Sequence, residues 1–306
     1  MISINDIDKP FIDKLFEKTD DIIKRGGSKG KCCLNIHNDK ILVNAFFEPS
    51  TRTQLSFESA MKSLGGSVIN FNADTSSLKK GESFKDTIKT LSIYGDIIVL
   101  RHPQTGSAKE ANEYSDVPVI NGGDGSNEHP TQALLDLYTI YKSFDNNLNT
   151  VNTILFVGDC NNSRTIRSLI KLLHLYPHIS IYFLPYSGCN PSEDMLHSIS
   201  HKQNIQSNIL DKNQPIPYHL FDVIYCTRLQ KERIYTMKQQ DRSRSDIVIT
   251  KEILNKCKNN VIIMHPLPRI DEISTEIDDE PNSVYFKQME YGVKIRMALL
   301  DLLLSR

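Results

Sequence analysis

The sequence predicts an α/β protein of two lobes, each a mainly parallel sheet flanked by helices. Three observations point there. Short β-rich runs alternate with stretches of helical periodicity, the pattern of parallel layers. At 306 residues the chain is longer than one ordinary hydrophobic core and fits about two domains. The polar stretch Asp145 to Asn152 is linker-like.

Taken in order, the expected strands are Ile41 to Phe46, Ile97 to Leu100, Val117 to Ile120, Thr153 to Val157, Ile179 to Leu184, Asp222 to Cys226 and Val261 to Met264. Most lead into a polar loop carrying Arg, His or Gly. Ligands of open parallel sheets bind beyond the carboxyl ends of the strands, so those loops are where a site belongs. Helices fit between the strands. Leu55, Ala60, Met61 and Leu64 recur at near-helical spacing, and Gly65-Gly66 supplies a stop. Pro130 to Ser143, apolar at Ala133, Leu134, Leu137, Tyr138, Ile140 and Tyr141, is long enough to bridge two lobes. A final helix runs from near Tyr285 to Leu304, and Tyr235 to Asp246, rich in Gln, Arg and Ser, reads as a surface loop.

Composition removes several classes. Apolar residues are 39% of the chain and charged ones 24%, the balance of a soluble globular protein. No apolar run nears the roughly 20 residues that span a bilayer, so no membrane is expected. The start, Met1 to Asp6, lacks the basic and apolar parts of a signal peptide, and a cytoplasmic protein is expected. The net charge of −1 gives no general attraction to nucleic acid. Six cysteines (Cys32, Cys33, Cys160, Cys189, Cys226, Cys257) show no CxxC pair, so free thiols are expected and neither a metal site nor a disulfide framework.

The most informative segment is Phe46-Phe47-Glu48-Pro49-Ser50-Thr51-Arg52-Thr53, which ends a strand and opens a helix. Ser50 and Thr51 are good cap residues, and a helix N-terminus presents N–H groups and partial positive charge to an anion. Arg52 adds a fork suited to phosphate oxygens. A capped helix followed by Arg also arises by chance, so that much does not separate phosphate binding from plain capping. Further strings lie after other strands: Arg101-His102-Pro103, Asp124 to Gln132, Val157 to Thr165 with Ser163-Arg164 at a second helix start, Thr227 to Arg233, and His265-Pro266-Leu267-Pro268-Arg269. His129 and Gln132, at i and i+3, share one face of a first helical turn. Ser77 to Ser83 holds Lys79-Lys80, by composition a solvated loop.

Together, in this order and over nearly the whole chain, these strings resemble the aspartate/ornithine carbamoyltransferase family, and within it the aspartate branch. The resemblance implies transfer of a carbamoyl group from carbamoyl phosphate to the amino group of L-aspartate, the committed step of pyrimidine biosynthesis. It implies a carbamoyl phosphate domain over 1–140 joined by the C-terminal helix 285–306, which returns to that lobe, and an aspartate domain over 141–284. Ser50, Thr51, Arg52, Thr53 and Arg101 would hold the phosphate. Thr53, Arg101 and His129 would point at the carbonyl oxygen and stabilise its oxyanion. Gln132 and the carbonyls of Leu267 and Pro268 would take the carbamoyl NH2, with the Leu267-Pro268 bond cis. Arg164, Arg228 and Gln230 would bind the aspartate carboxylates. Ser77 and Lys80 would enter the site from a neighbouring subunit of a homotrimer, Lys80 touching both substrates. No cofactor and no metal are implied. Carbamoyl phosphate would bind first, with aspartate then drawing the lobes together.

Three other readings are weaker. Ornithine carbamoyltransferases share the Ser-Thr-Arg-Thr cradle but carry His-Cys-Leu-Pro and a Ser-Met-Gly loop, where this chain has His265-Pro266-Leu267-Pro268 and Arg228-Leu229-Gln230. An arginine there repels an ornithine ammonium. A dinucleotide fold is suggested by Val157-Gly158-Asp159, but Cys160, Asn161 and Ser163 stand where a G-x-G-x-x-G loop needs glycines. An inactive scaffold is disfavoured because the chemical residues are all present. Two stretches depart from the family pattern: the lysine loop is slightly shorter, and Ile234 to Asp246 does not match the segment that couples closure to cooperativity in the regulated form. Association with a regulatory subunit or a higher assembly stays open.

Overall fold

A computed structural model describes residues 1–26, 34–201, 207–230 and 245–305. Cys32, Cys33, Lys231 to Arg233 and most of the expected loop from Tyr235 to Asp246 lie outside the described residues. The chain divides into two compact units, Met1–Leu135 with Glu290–Arg306, and Asp136–Met289.

The first unit is built on a parallel sheet of β1 (Ile41–Phe46), β2 (Ser67–Asn72), β3 (Ile97–His102) and β4 (Val119–Asp124), in the order β2-β1-β3-β4. β1 and β3 sit in the middle, and Leu42, Val43, Ala45 and Ile97 to Leu100 are almost wholly buried. That explains why both read as near-continuous apolar runs. Helix α2 (Thr51–Ser63) packs on β1 and β2, α3 (Phe84–Tyr94) on β1 and β3, and α4 (Ser107–Tyr114) on β3 and β4; α1 (Lys9–Gly26) precedes the sheet. One layer of the core joins Val43, Ala45, Ile98, Leu100 and Val119 to Ile88, Leu91, Ala108 and Ala111 of α3 and α4. The expected stop after α2 is present: Gly65 has φ +95, and a Cβ there would lie 2.2 Å from Asn38 Oδ1. Leu55, expected on the apolar stripe of α2, instead points outward at 58% exposure, while Ala60, Met61 and Leu64 are buried.

The second unit has a five-stranded parallel sheet in the order β7-β6-β5-β8-β9, with β5 Thr153–Gly158, β6 Ser180–Pro185, β7 Ser207–Ile209, β8 Val223–Thr227 and β9 Ile262–Met264. α6 (Arg164–Leu173) follows β5, and α7 (Glu193–His201) follows β6. Its core gathers Leu155, Val157, Leu184, Phe221, Ile224, Cys226, Ile263 and Tyr285. Two helices cross the division of the chain, α5 (Pro130–Ser143) and the last helix (Tyr285–Leu304). Cys160, Cys189, Cys226 and Cys257 are free thiols, the first three buried. Among the described residues no helix is long and apolar enough to cross a membrane.

Two strands, β2 and β7, were not expected. Both are edges, and β2 has no fully buried residue, so neither carries the apolar run that marks an inner strand.

The strand order fixes where the loops of interest emerge. In each sheet the chain leaves a central strand in one direction and later returns to its other side, between β1 and β3 in one unit and between β5 and β8 in the other. Such switch points leave a crevice beyond the carboxyl ends of the two strands. Phe46 pairs with Arg101 at the first and Gly158 with Thr227 at the second. Gly158 has φ +114, and a Cβ there would lie 2.1 Å from the Thr227 carbonyl oxygen. Replacing Gly158 by Ala should therefore destabilise the fold by about 2 kcal/mol or more, as steric and backbone strain add. Thermal melting checks this, and an unchanged Tm would contradict the close approach of β5 and β8.

Candidate active site

At the first switch point the loop after β1 opens α2. Ser50 occupies the cap position, yet its side chain makes no capping bond. The expected cap therefore does not engage the N–H groups of this helix start, the groups a phosphate would use. Thr51 and Arg52 are exposed and Thr53 is buried. The Phe47 amide donates to the Arg101 carbonyl at 2.8 Å, tying this loop to the end of β3. Arg101 Nε meets Glu48 Oε1 at 2.8 Å, and Nη1 donates to the Gly122 carbonyl at 3.4 Å. Its guanidinium is thus held over the ends of three strands. The next residue, His102, packs its ring 4.9 Å from Phe47 and 5.2 Å from Phe84, and burial holds its pKa below the usual histidine value.

The loop after β4 brings in His129. Asp124, 2% exposed, accepts from the Gly106 amide at 3.0 Å, the Asn121 and Asn127 side-chain amides at 3.0 Å each, and the Glu128 amide at 3.2 Å. This one carboxylate gathers the turn from residue 121 to 128 and presents the following residue at the start of α5. His129 is buried, and its Nε2 lies 3.4 Å from Thr53 Oγ1. Gln132 follows one turn later at 9% exposure. Thr53 in the first turn of α2, Arg101 near the end of β3 and His129 just before α5 all stand at the carboxyl end of this one sheet. Ser77 and Lys80 are not brought into it: they lie on an exposed single turn, Ser77–Lys80, and neither side chain bonds to another described residue.

The second switch point holds the other set. Arg164, 6% exposed, is the first residue of α6, behind Ser163, whose Oγ accepts from the Ile166 amide. Buried Asp159 accepts from the Asn162 amide at 3.0 Å through Oδ1 and from the Gln230 amide at 3.1 Å through Oδ2. It staples the loop that leads to Arg164 to the one that carries Arg228 and Gln230. Arg228 Nη1 donates to the Leu229 carbonyl at 3.0 Å. After β9 the Leu267-Pro268 bond is cis, as expected. His265, just before it, lies 2.6 Å from Glu272, with both side chains 1% exposed. Burial lowers the His265 pKa, the charges of Arg269 and Arg228 add to that, and Glu272 opposes. Burial raises the Glu272 pKa, but the bonds from His265 and nearby backbone outweigh it and leave the carboxyl below its usual range.

Two adjacent family models match the two halves of the sequence. Residues 1–142 match the aspartate/ornithine carbamoyltransferase carbamoyl-P binding domain, and residues 151–303 match the Asp/Orn binding domain. The chain belongs to the aspartate/ornithine carbamoyltransferase family. Among curated members, it is 44% identical to an aspartate carbamoyltransferase catalytic subunit of Archaeoglobus fulgidus, covering 98% of this chain and 97% of that one. Among solved structures, the catalytic subunit of Methanocaldococcus jannaschii aspartate transcarbamoylase superposes with a TM-score of 0.88 at 42% identity, over 100% of this chain and 97% of that one. Trypanosoma cruzi aspartate transcarbamoylase bound to N-(phosphonacetyl)-L-aspartic acid superposes with a TM-score of 0.87 at 36% identity, over 98% and 94%.

What sequence reasoning passed over in this carbamoyltransferase are the carboxylates, Glu48, Asp124, Asp159 and Glu272. Three of them stand inside the motif strings. An acid placed among cationic and amide residues was the available signal, since a buried carboxylate needs donors around it. Asp124→Ala should leave the buried donors around it unsatisfied, at about 1 to 3 kcal/mol for each group that water cannot reach. It should also lower kcat by releasing the turn that presents His129. Denaturant melts and steady-state rates measure both, and a variant of full stability and rate would contradict this role.

Proposed function

We propose that this chain transfers the carbamoyl group of carbamoyl phosphate to the amino group of L-aspartate, giving N-carbamoyl-L-aspartate and phosphate, a step of pyrimidine synthesis in the cytoplasm. The observation that carries the site assignment is the gathering, beyond the carboxyl ends of a single sheet, of the open start of α2, Arg101 and the Thr53–His129 pair, 3.4 Å apart. A phosphate and a polarisable carbonyl need that combination: N–H groups and a guanidinium for the one, donors aimed at an oxyanion for the other.

In this reading the first unit holds carbamoyl phosphate and the second holds aspartate. Ser50, Thr51, Arg52, Thr53 and Arg101 bind the phosphate. Glu48 shares Arg101 and keeps its guanidinium oriented. The amine lone pair attacks the carbamoyl carbon, and the carbonyl oxygen becomes an oxyanion facing Thr53, Arg101 and His129. Gln132 and the carbonyls of Leu267 and Pro268 accept from the carbamoyl NH2, which fixes the plane of the electrophile. Arg164, Arg228 and Gln230 bind the two carboxylates. As the tetrahedral intermediate collapses, the bond from carbon to the phosphate oxygen breaks and the departing phosphate takes the proton lost by the amine. Orientation and preorganised charge supply the rate.

Parallel steady-state assays with aspartate and ornithine test the substrate. With carbamoyl phosphate saturating, aspartate should turn over and ornithine should not. Arg228→Ala should cost about 2 to 5 kcal/mol in kcat/KM for aspartate, the range for a desolvated charge pair that loses one partner. Binding of carbamoyl phosphate should be spared. Equal loss of both would contradict the division of labour between the two units.

The active assembly is a homotrimer in which Ser77 and Lys80 act on the neighbouring chain's substrates. The exposed turn that carries them supports this, as does the suitability of an ammonium for two anions at once. Chains with Arg52→Ala and chains with Lys80→Ala should each be nearly inactive. Dissociated and reassembled together, they should regain activity wherever an intact Arg52 meets a neighbour's intact Lys80. Mixed assemblies as inactive as their parents would confine each site to one chain.

A further inference from the structure

The loop after β9 is held by hydrogen bonds at both ends, buried at one and partly buried at the other. On one side the His265 amide donates to Gln288 Oε1 at 3.0 Å, and Gln288 Nε2 donates to Asp136 Oδ1 at 2.6 Å. Asp136 also accepts from the Tyr225 hydroxyl at 2.8 Å. On the other side Glu272 Oε2 accepts the amides of Ile270 and Asp271, each at 3.0 Å. Between them stands the imidazole of His265: Nε2 lies 2.6 Å from Glu272 Oε1, and the Leu267 amide donates to Nδ1 at 2.8 Å.

These contacts select one tautomer. An amide N–H can only donate, so Nδ1 is the acceptor and Nε2 carries the proton toward Glu272. A line of hydrogen bonds then runs from the Glu272 carboxylate through the ring to the peptide from which Leu267 and Pro268 hang. Nothing in the reaction as derived uses His265 or Glu272.

We propose that the His265–Glu272 pair is a positioning device: by holding His265 as the Nε2–H tautomer, it keeps the carbonyls of Leu267 and Pro268 aimed at the carbamoyl NH2. The proposal rests on the reading that those two carbonyls accept from that group. This role gives His265 no contact with substrate. It acts through the Leu267 amide.

Glu272→Gln tests this with almost no change in size. The new side chain has one oxygen and one NH2. With the oxygen kept on the Ile270 and Asp271 amides, the NH2 faces Nε2, which must then accept. The ring proton moves to Nδ1 and meets the Leu267 N–H donor to donor. The readout is the preference for carbamoyl phosphate over acetyl phosphate, whose methyl group donates nothing, measured by competition on the full-length protein. The parent should prefer carbamoyl phosphate by about tenfold or more, because a site built for a donor rejects an analogue without one. In Glu272→Gln that preference should fall below about threefold and kcat should drop about tenfold or more, with KM for aspartate within about twofold.

A variant that melts earlier but keeps the parent's preference and kcat overturns the proposal and leaves the carbonyl assignment standing. A parent without any preference overturns that assignment, and the proposal with it. His265→Gln offers a second substitution: its amide can still donate toward Glu272 but gives the Leu267 N–H no acceptor, and it should show the same loss of preference. Imidazole nitrogen shifts of the parent read the tautomer with no substitution, and an Nδ1–H form at His265 overturns the proposal outright.

Discussion

Carbamoyl phosphate and aspartate together bring a phosphate of about two negative charges and two carboxylates to one reaction, on a protein whose own net charge is −1. Fixed positive charge has to be concentrated locally, and the fold does so at the switch points of two parallel sheets. At each, neighbouring strands end side by side and their loops diverge. Arg101 lies at one such place and Arg164 with Arg228 at the other. Helix starts at Thr51 and Arg164 add their partial charge. The remaining features of the site follow from keeping these groups aimed while they lack substrate.

Keeping them aimed falls to carboxylates, with Asp124 and Asp159 buried and Glu48 partly so. Glu48 pairs with Arg101, Asp159 joins the two loops of the second switch point, and Asp124 gathers the turn before His129. Asp124 and Asp159 each satisfy several donors at once, which is how a buried carboxylate is tolerated. Such acids are costly to remove and hold loops that apolar packing alone leaves free to move. In each unit, then, acids tie down the loops that carry the cationic residues. On the proposed reading, His265 and Glu272 do the same for the loop of Leu267 and Pro268, where the need is for two well-aimed carbonyls and no charge.

Much of this was legible in the sequence, for physical reasons that also mark where legibility ends. Inner strands such as β3 and β5 are buried on both faces and show as unbroken apolar runs. The edge strands β2 and β7 are not, and they escaped notice. Leu55 fitted a helical repeat yet faces outward, because spacing fixes which residues share a face and not what covers it. The cationic residues were readable because each stands in a local string after a strand. Their supporting contacts were not, since Asp159 reaches Gln230 and Asp124 reaches Gly106 only through the tertiary fold. Ser50 was readable as a cap by position, whereas the lack of a capping bond, which leaves α2 open to an anion, needed coordinates.

The measurement that bears most directly on the account is a crystal structure of this protein with N-(phosphonacetyl)-L-aspartate, which joins both substrates in one molecule. The account predicts the phosphonate on the Ser50 to Thr53 amides and Arg101, the acetyl oxygen facing Thr53 and His129, and the carboxylates on Arg164 and Arg228. A phosphonate seated away from the start of α2, or carboxylates that leave both Arg164 and Arg228 without contact, would contradict it.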